Sequence, residues 1–286
     1  MDQKVMDLQT EYINKLLNRR EFFRRLSILA GGTVAASTLM PLFENHHAKA
    51  EVVPKNDPRL YTEYIKYPGA TGEVRAYFVR PKGVGKLPGV VVIHENRGLD
   101  PHIEDIARRV ALEGFLAIAP DGLTSLGGTP EDPDKAPPLF QKLDSKLTIE
   151  NYIAAVRYLK TQPLSTGKVG AVGFCWGGGI ANQLAVNSPD VIAVVPYYGG
   201  QPASEDVSKI KASLLLHYAG LDERINKGIS DYEAALKKAS IDYKIYMYEG
   251  AQHAFNNDTW AERFNKEAAQ LAWQRTISFL KEKLKK

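Results

Sequence analysis

One stretch constrains the fold more than any other, residues 169–179, with the sequence VGAVGFCWGGG. An apolar run over residues 168–174 predicts a buried strand, and a helical pattern begins at Ile180. Between them, Cys175 stands two residues after Gly173 and two before Gly177. A sharp strand–turn–helix connection strains its central residue, and side chains at the flanking positions would collide, so both are glycine. The pattern predicts a thiol held clear of the sheet at the start of a helix.

Cys175 is the only cysteine of the chain, so it has no partner for an intramolecular disulfide. Most free cysteines are small buried hydrophobic residues, and the glycine spacing alone leaves that interpretation open. A lone thiol in an oxidising compartment is a liability unless it is buried or has a chemical role.

The segments around this stretch predict an α/β fold. Residues 61–67 and 74–80 alternate like half-buried strands and predict an antiparallel hairpin. Residues 89–94 are continuously apolar, as in a strand that is covered on both faces. The segments that follow alternate between predicted helices (103–112, 147–160, 180–186, 227–239 and 260–283) and predicted strands (115–119, 168–174, 191–195, 212–218 and 243–248). This order indicates a doubly wound, mostly parallel sheet, whose ligands bind beyond the carboxyl ends of the strands.

Residues 120–144 do not fit this alternation. They contain Gly127, Gly128 and five prolines, and they show no convincing period. A connection of this length in a compact domain is usually functional, and this one leaves the carboxyl end of a strand. We expect it to form a rim or lid over a pocket; the alternative is a surface insertion.

The first 50 residues predict an export signal. Arg19 and Arg20 precede a run without charged residues (26–43), and Ala48-Lys49-Ala50 offers small residues for a signal peptidase. The segment resembles a twin-arginine signal peptide, although Asn18 stands where serine or threonine is usual. We therefore expect the twin-arginine export machinery to deliver residues 51–286, a single domain, to the periplasm or beyond, with no stable membrane association after cleavage. The alternative is an uncleaved leader that anchors the chain in the membrane.

The charge of the chain gives no sign of a nucleic-acid partner. The whole chain has 37 basic and 33 acidic residues, and the first 50 residues hold seven and five of them. Without the leader the formal charge falls from +4 to +2, which is ordinary for a soluble domain, and no lysine or arginine block stands out.

A nucleophile at such a turn needs an acid and a histidine later in the chain. Of the six histidines, two lie in the leader, two precede Cys175, and His217 lies inside a predicted strand, where a buried, hydrogen-bonded role is expected. His253 remains, directly after the last predicted strand. Asp222 follows the strand before it. All three side chains follow the carboxyl ends of predicted parallel strands, so they can converge as a catalytic triad.

Four motifs together resemble the dienelactone hydrolases, or carboxymethylenebutenolidases. They are GFCWGG at 173–178, AGLD at 219–222, GAQHAF at 250–255 and HENRG at 94–98, and the resemblance covers essentially all of residues 61–286. It implies an α/β-hydrolase fold, no metal and no organic cofactor. It further implies hydrolysis of a small-molecule ester or lactone through a Cys-Asp-His triad.

The resemblance also implies a role for each matching residue. Cys175 would be the nucleophile that forms a thioester, His253 the base, and Asp222 the group that orients the imidazole. The backbone N–H groups of Trp176 and Asn96 would form the oxyanion hole.

Two further residues take their expected roles from the same motifs. Glu95 would contact the resting thiol and keep it protonated; the alternative is a surface carboxylate at a strand end. Phe255 is a candidate substrate contact.

The chain departs from the family in its arginines. The family's lactone-binding members grip the substrate carboxylate with one arginine in the loop that corresponds to residues 120–144 and another just after the HAF motif. Here that loop has no arginine, and Asn256 and Asn257 follow Phe255. Arg97 is a candidate substitute, although it is equally consistent with a surface charge. Two other functions stay open: a catalytically idle scaffold that serves as a binding protein, and a peptidase or amidase, because a thioester intermediate also suits amides.

Overall fold

The computed structural model describes residues 4 and 8, residues 19–33 and residues 51–285, in two units divided after residue 50. In the first unit a helix, α1 (Arg19–Leu29), begins at the arginine pair of the expected signal. The later part of the uncharged run and the Ala48-Lys49-Ala50 motif lie outside the described residues. None of the helices in these ranges is long and apolar enough to cross a membrane.

The second unit is built on one eight-stranded sheet in the order β1-β2-β4-β3-β5-β6-β7-β8. Its strands are β1 (Leu60–Gly69), β2 (Gly72–Pro81), β3 (Leu87–Ile93), β4 (Leu116–Pro120), β5 (Ser165–Phe174), β6 (Val191–Tyr197), β7 (Ser213–Ala219) and β8 (Tyr243–Tyr248). β1 and β2 form the expected antiparallel hairpin, β2 pairs antiparallel with β4, and all other pairings are parallel. The predicted α/β-hydrolase architecture, a doubly wound and mostly parallel sheet, is confirmed.

Helices cover both faces of this sheet. They are α2 (Pro101–Leu112), α3 (Pro137–Phe140), α4 (Ser145–Thr161), α5 (Trp176–Asn187), α6 (Glu223–Asn226), α7 (Ile229–Lys238) and α8 (Lys266–Leu284). Successive residues of β3 show the two layers. Val90 and Val92 belong to the core that includes residues of α2 and α8, whereas Val91 and Ile93 belong to the core that includes residues of α4 and α5. This double burial explains the continuous apolar run, since each buried Val or Ile contributes about 1.5–3 kcal/mol to folding.

The last helix begins later than the sequence predicts. We expected it from residue 260, but α8 starts at Lys266, where the Asn265 side chain accepts a hydrogen bond from the Ala268 N–H at 3.1 Å. The residues before Asn265 form turns that continue from the His253 loop. The N-cap Asn265 and the hydrogen bonds of the preceding turns fix the start of α8, although the helical sequence pattern begins earlier.

Residues 120–144 form an ordered loop with two short 3₁₀ turns and the four-residue helix α3. Asp121, almost fully buried, holds its first part together, because its carboxylate accepts hydrogen bonds from the Leu123 N–H and from the N–H and hydroxyl of Thr129. Thr129 also accepts from the Leu99 N–H at 2.8 Å, which ties this loop to the loop after β3.

Candidate active site

The strand–turn–helix at Cys175 has the geometry that its glycines predict. Cys175 has φ 56° and precedes the first residue of α5. A Cβ on Gly173 would lie 2.0 Å from the Gly177 carbonyl oxygen, and a Cβ on Gly177 would lie 2.4 Å from the His94 carbonyl oxygen. Contacts this close are impossible, so no larger residue fits at either position without a shift of backbone.

Cys175, Asp222 and His253 converge, although they are far apart in sequence. The Cys175 Sγ lies 3.0 Å from His253 Nε2, and His253 Nδ1 hydrogen-bonds to Asp222 Oδ2. The other oxygen of Asp222 caps α6 by accepting from the Ile225 N–H, which fixes the carboxylate. A carboxylate at Nδ1 places the imidazole proton there, so Nε2 is free to accept the proton of the thiol.

Backbone strain is concentrated at this site. Four non-glycine residues of the described chain have positive φ, and three of them are Cys175, Tyr198 (φ 38°) and Ala254 (φ 68°), the neighbour of His253. Tyr198 directly follows β6, and its ring lies 5.0 Å from the His253 ring. Such conformations persist only where the surrounding structure holds them, and they are common at functional sites.

The surroundings of Cys175 favour the protonated thiol. Burial raises its pKa to about 12, and the negative charge of Glu95 acts in the same direction. The backbone N–H groups of Trp176 and Asn96, the two predicted oxyanion-hole donors, hydrogen-bond to the thiol and lower the pKa, as does the charge of Arg224. Both donors therefore lie close to the reacting sulfur.

Glu95 is buried beside the site rather than exposed at a strand end. Its Oε1 accepts from the Tyr198 hydroxyl at 3.2 Å, and its Oε2 accepts from Asn257 Nδ2 at 2.6 Å. Burial raises the pKa of Glu95, and the charge of His102 opposes that rise. In the part of the chain that the structure describes, Glu95 makes no hydrogen bond to the thiol, which differs from the expected resting contact. Its effect on Cys175 is electrostatic.

Phe255 packs beneath the site instead of facing it. Its ring is fully buried against Tyr197, Tyr198 and Tyr248, at centroid distances of 6.2, 5.3 and 4.9 Å. It therefore supports the loop that carries His253, and the predicted substrate contact is corrected to a packing role. His217 has the expected structural role: it is buried and hydrogen-bonds to Tyr248 and Thr276.

The loop over residues 120–144 reaches the rim of the site. The Phe140 ring in α3 lies 4.7 Å from the Trp176 ring, edge-on, and Trp176 is the neighbour of Cys175. The fully buried His94 ring stacks on the Trp176 ring at 5.2 Å, lies 5.7 Å from the Phe140 ring, and accepts a hydrogen bond from the Gly122 N–H at 2.9 Å. These contacts favour the rim interpretation over the surface insertion.

Three residues near the site were missed by the sequence analysis. Asn257 donates to Glu95, Arg224 acts on the charge of Cys175, and Tyr198 contacts both Glu95 and His253. Arg224 lies two residues after Asp222, and Asn257 four after His253, so proximity to the triad was the signal available. Tyr198 follows a strand end next to Gly199 and Gly200, but nothing in its residue type marks it.

The described residues contain no cluster of three or more histidine, cysteine or acidic side chains that could hold a metal ion. The expectation that the reaction needs no metal or organic cofactor stays a prediction.

Comparison with known proteins agrees with the fold and the motifs. The sequence model of the "Dienelactone hydrolase family" matches residues 74–284. A Saccharolobus solfataricus protein named "Putative carboxymethylenebutenolidase" is 33% identical over 255 residues, which cover 76% of this chain and 97% of that protein.

Two solved structures place the fold among hydrolases. The crystal structure titled "Putative Dienelactone Hydrolase", from Klebsiella pneumoniae, superposes with a TM-score of 0.69 at 29% identity and covers 77% of this chain and 98% of its own. The Pyrococcus horikoshii acylaminoacyl peptidase superposes with a TM-score of 0.62 at 14% identity, over 80% of this chain and 42% of its own. The second likeness is one of fold alone.

Proposed function

Because the chain belongs to the dienelactone hydrolase family, a family of α/β-fold hydrolases, we propose that it hydrolyses a small-molecule ester or lactone through Cys175, His253 and Asp222. The reaction passes through a thioester on Cys175. The observation that carries the proposal is the 3.0 Å contact between the Cys175 Sγ and His253 Nε2, with Asp222 on the opposite nitrogen of the same ring.

The first half of the reaction transfers the acyl group to the enzyme. Cys175 Sγ attacks the carbonyl carbon while its proton passes to His253 Nε2, so that nucleophile and cation form together at the moment of attack. The carbonyl oxygen becomes an oxyanion between the N–H groups of Trp176 and Asn96. When the oxyanion collapses, the ester C–O bond breaks, and Nε2 gives its proton to the departing alkoxide. The acyl group is then held as a thioester.

The second half returns the enzyme to its starting state. A water molecule gives one proton to His253 Nε2 and attacks the thioester carbon, which forms a second oxyanion in the same hole. The C–S bond then breaks, the carboxylic acid leaves, and the sulfur recovers its proton from Nε2. Asp222 stabilises the imidazolium in both halves, since its carboxylate faces Nδ1. Each oxyanion-hole donor typically contributes about 3 kcal/mol to the transition state.

Two alternatives remain for the same site. A peptidase or amidase is favoured by the fold likeness to an acylaminoacyl peptidase, although that likeness extends to the fold alone. A catalytically idle binding protein would be expected to have lost a member of the triad, whereas all three are present in contact. We also propose that the twin-arginine export machinery delivers residues 51–286 to the periplasm or beyond. The arginine pair Arg19-Arg20, which precedes an uncharged run, supports this location for the enzyme.

The triad test combines substitution with detection of the acyl group. Cys175→Ala and His253→Ala should each lower kcat for p-nitrophenyl acetate about 10⁴-fold or more, and the double variant should be little worse than either, because the two residues act as a unit. Asp222→Asn should cost somewhat less. Intact-mass measurement should find one acetyl group on Cys175 during turnover.

The outcomes separate the candidates. Circular dichroism and the unfolding midpoint of each variant serve as controls for folding. An active Cys175→Ala protein would end the nucleophile assignment. Acetylation of Cys175 without turnover of any ester or lactone would favour the idle scaffold. Higher kcat/KM on peptide anilides than on esters would favour the peptidase.

A further inference from the structure

Each oxygen of the Glu95 carboxylate accepts a hydrogen bond from a group other than the thiol. Tyr198 donates to one oxygen at 3.2 Å and Asn257 to the other at 2.6 Å, and Glu95 is only 5% exposed. The thiol, meanwhile, contacts His253. The nucleophile is therefore paired with its base, and the buried carboxylate is paired with other groups.

We propose that Asn257 is a positioning residue, whose side-chain amide keeps the Glu95 carboxylate ionised and bound away from the Cys175 thiol. The protonated thiol is thereby left to pair with His253. The inference rests on the proposed function of Cys175 as the nucleophile. It assigns to Asn257 an influence on the protonation state of the Cys175 thiol.

The orientation of the Asn257 amide follows from its second set of contacts. Its Oδ1 accepts from the Thr259 N–H at 3.0 Å and from the Thr259 hydroxyl at 2.6 Å. A flipped amide would turn its NH₂ group toward the Thr259 N–H, donor against donor. Nδ2 must therefore face Glu95, and an amide nitrogen only donates. Glu95 Oε2 is consequently the acceptor of this bond, and a hydrogen bond donated to a carboxylate stabilises its ionised form.

The amide is also fixed in place from the neighbouring residue. Asp258 Oδ1 lies 3.0 Å from His102 Nδ1, and Asp258 Oδ2 lies 2.7 Å from Arg109, both in α2. Asn257 thus binds Glu95, while the next residue, Asp258, binds α2. Because the contacts of Asp258 fix this part of the loop, Asn257 could not follow Glu95 if that side chain turned toward the thiol. The carboxylate would then lose a charge-assisted hydrogen bond.

Several titratable or charged groups surround this pair, and each acts on the charge of Glu95 or of Cys175. They are Asp100 and His102 near the start of α2, Tyr198 after β6, Arg224 in α6, and His253. A donor to the carboxylate favours its ionised form, and an ionised carboxylate near the sulfur disfavours the thiolate. Loss of the Asn257 donor should therefore shift Glu95 toward its neutral form and make the thiolate easier to form.

The test measures the thiol directly, without substrate. The alkylation rate of Cys175 by iodoacetamide is followed from pH 6 to 9 in the full chain. Asn257→Leu should displace the profile to lower pH by about one unit, within the range that a neighbouring charge produces. Glu95→Gln should give at least the same shift, and Asn257→Leu should add nothing in the Glu95→Gln background, because the effect passes through the carboxylate.

Two variants separate positioning from loosening of the loop. Thr259→Val removes a bond from the same turn but leaves the Glu95 contact, so its profile should match the unsubstituted chain. If Asn257→Leu does not fold, Asn257→Ser keeps a polar group yet is too short to reach Glu95, and the same shift is expected.

Three results would overturn the inference: an unshifted profile in the Asn257 variant that folds, a shift that persists in the Glu95→Gln background, or an equal shift in Thr259→Val. Failure of the proposed function would give a different result. If the variants show the expected shifts but the chain hydrolyses no ester or lactone, only the proposed hydrolase activity is refuted.

Discussion

The charge of Arg97 is already engaged at the rim of the site. Its guanidinium lies 3.4 Å from Asp134 of the 120–144 loop and 5.6 Å from the centre of the Trp260 ring, against which Arg263 stacks at 3.9 Å. Asn257, at the place where an arginine was sought after the HAF motif, is bound to Glu95. A substrate carboxylate would therefore have to compete with Asp134 for Arg97, or bind to Arg224 instead.

This arrangement predicts a preference for uncharged substrates. A carboxylate that enters a partly dry pocket is costly unless a free cation meets it. We expect kcat/KM for a neutral short-chain ester or lactone to exceed that for a dienelactone with a free carboxylate by about tenfold or more at low salt. The measurement is a paired substrate series at two ionic strengths. A reversed preference that either Arg97→Ala or Arg224→Ala selectively removes would show that this arginine binds the carboxylate.

At the scale of elements, the His253 loop depends on α2. Asp258, in that loop, meets both His102 and Arg109, and Asp105 meets Arg109 from within α2. Burial opposes ionisation of Asp258, yet its hydrogen bonds and the charges of His102 and Arg109 lower its pKa well below the usual range. The loop and the helix are thus joined by an ion pair of restricted exposure.

This contact predicts a pH-dependent stability. A lowered carboxyl pKa contributes stability that is present above the unfolded pKa of about 4 and is lost as pH falls through the folded value. Asp258→Asn should lower the free energy of unfolding by about 2–4 kcal/mol at pH 6. The difference from the unsubstituted chain should shrink as the pH falls below 4. Urea denaturation at several pH values measures it, and a difference that stays constant down to pH 2 would contradict the assignment.

The sequence predicts the strands better than the contacts between loops. The strands were found from local patterns: residues 61–67 and 74–80 alternate like half-buried strands, and residues 89–94 are continuously apolar because both faces of that strand are buried. The triad residues were placed because parallel strands end at one edge. The Asn257–Glu95 bond joins residues 162 positions apart and depends on how two loops pack, which no local pattern encodes. The start of α8 was misplaced for the related reason that the turns after His253 extend to Asn265.

At the scale of the whole molecule, the second unit is held by hydrogen bonds from its first residues onward. The N–H groups of Val52 and Val53 donate to Asp105 at 3.0 and 2.8 Å, and the buried Arg108 donates to the Val53 carbonyl at 2.7 Å. These bonds belong to residues after the expected cleavage site. Cleavage after Ala50 would leave all of these bonds in place.

Export through the twin-arginine route is the prediction that concerns the chain as a whole. Replacement of Arg19 and Arg20 by lysine should leave the precursor in the cytoplasm, since that route reads the arginine pair and not its charge. In the matched control, lysine replaces Arg24 and Arg25, which pair with Glu21 in the same helix. This variant should be exported normally. Cell fractionation with N-terminal sequencing should find the processed chain beginning at Glu51. Processed protein outside the cytoplasm after the Arg19 and Arg20 replacements would show that another route carries it, and a full-length chain retained in the membrane would support the uncleaved anchor.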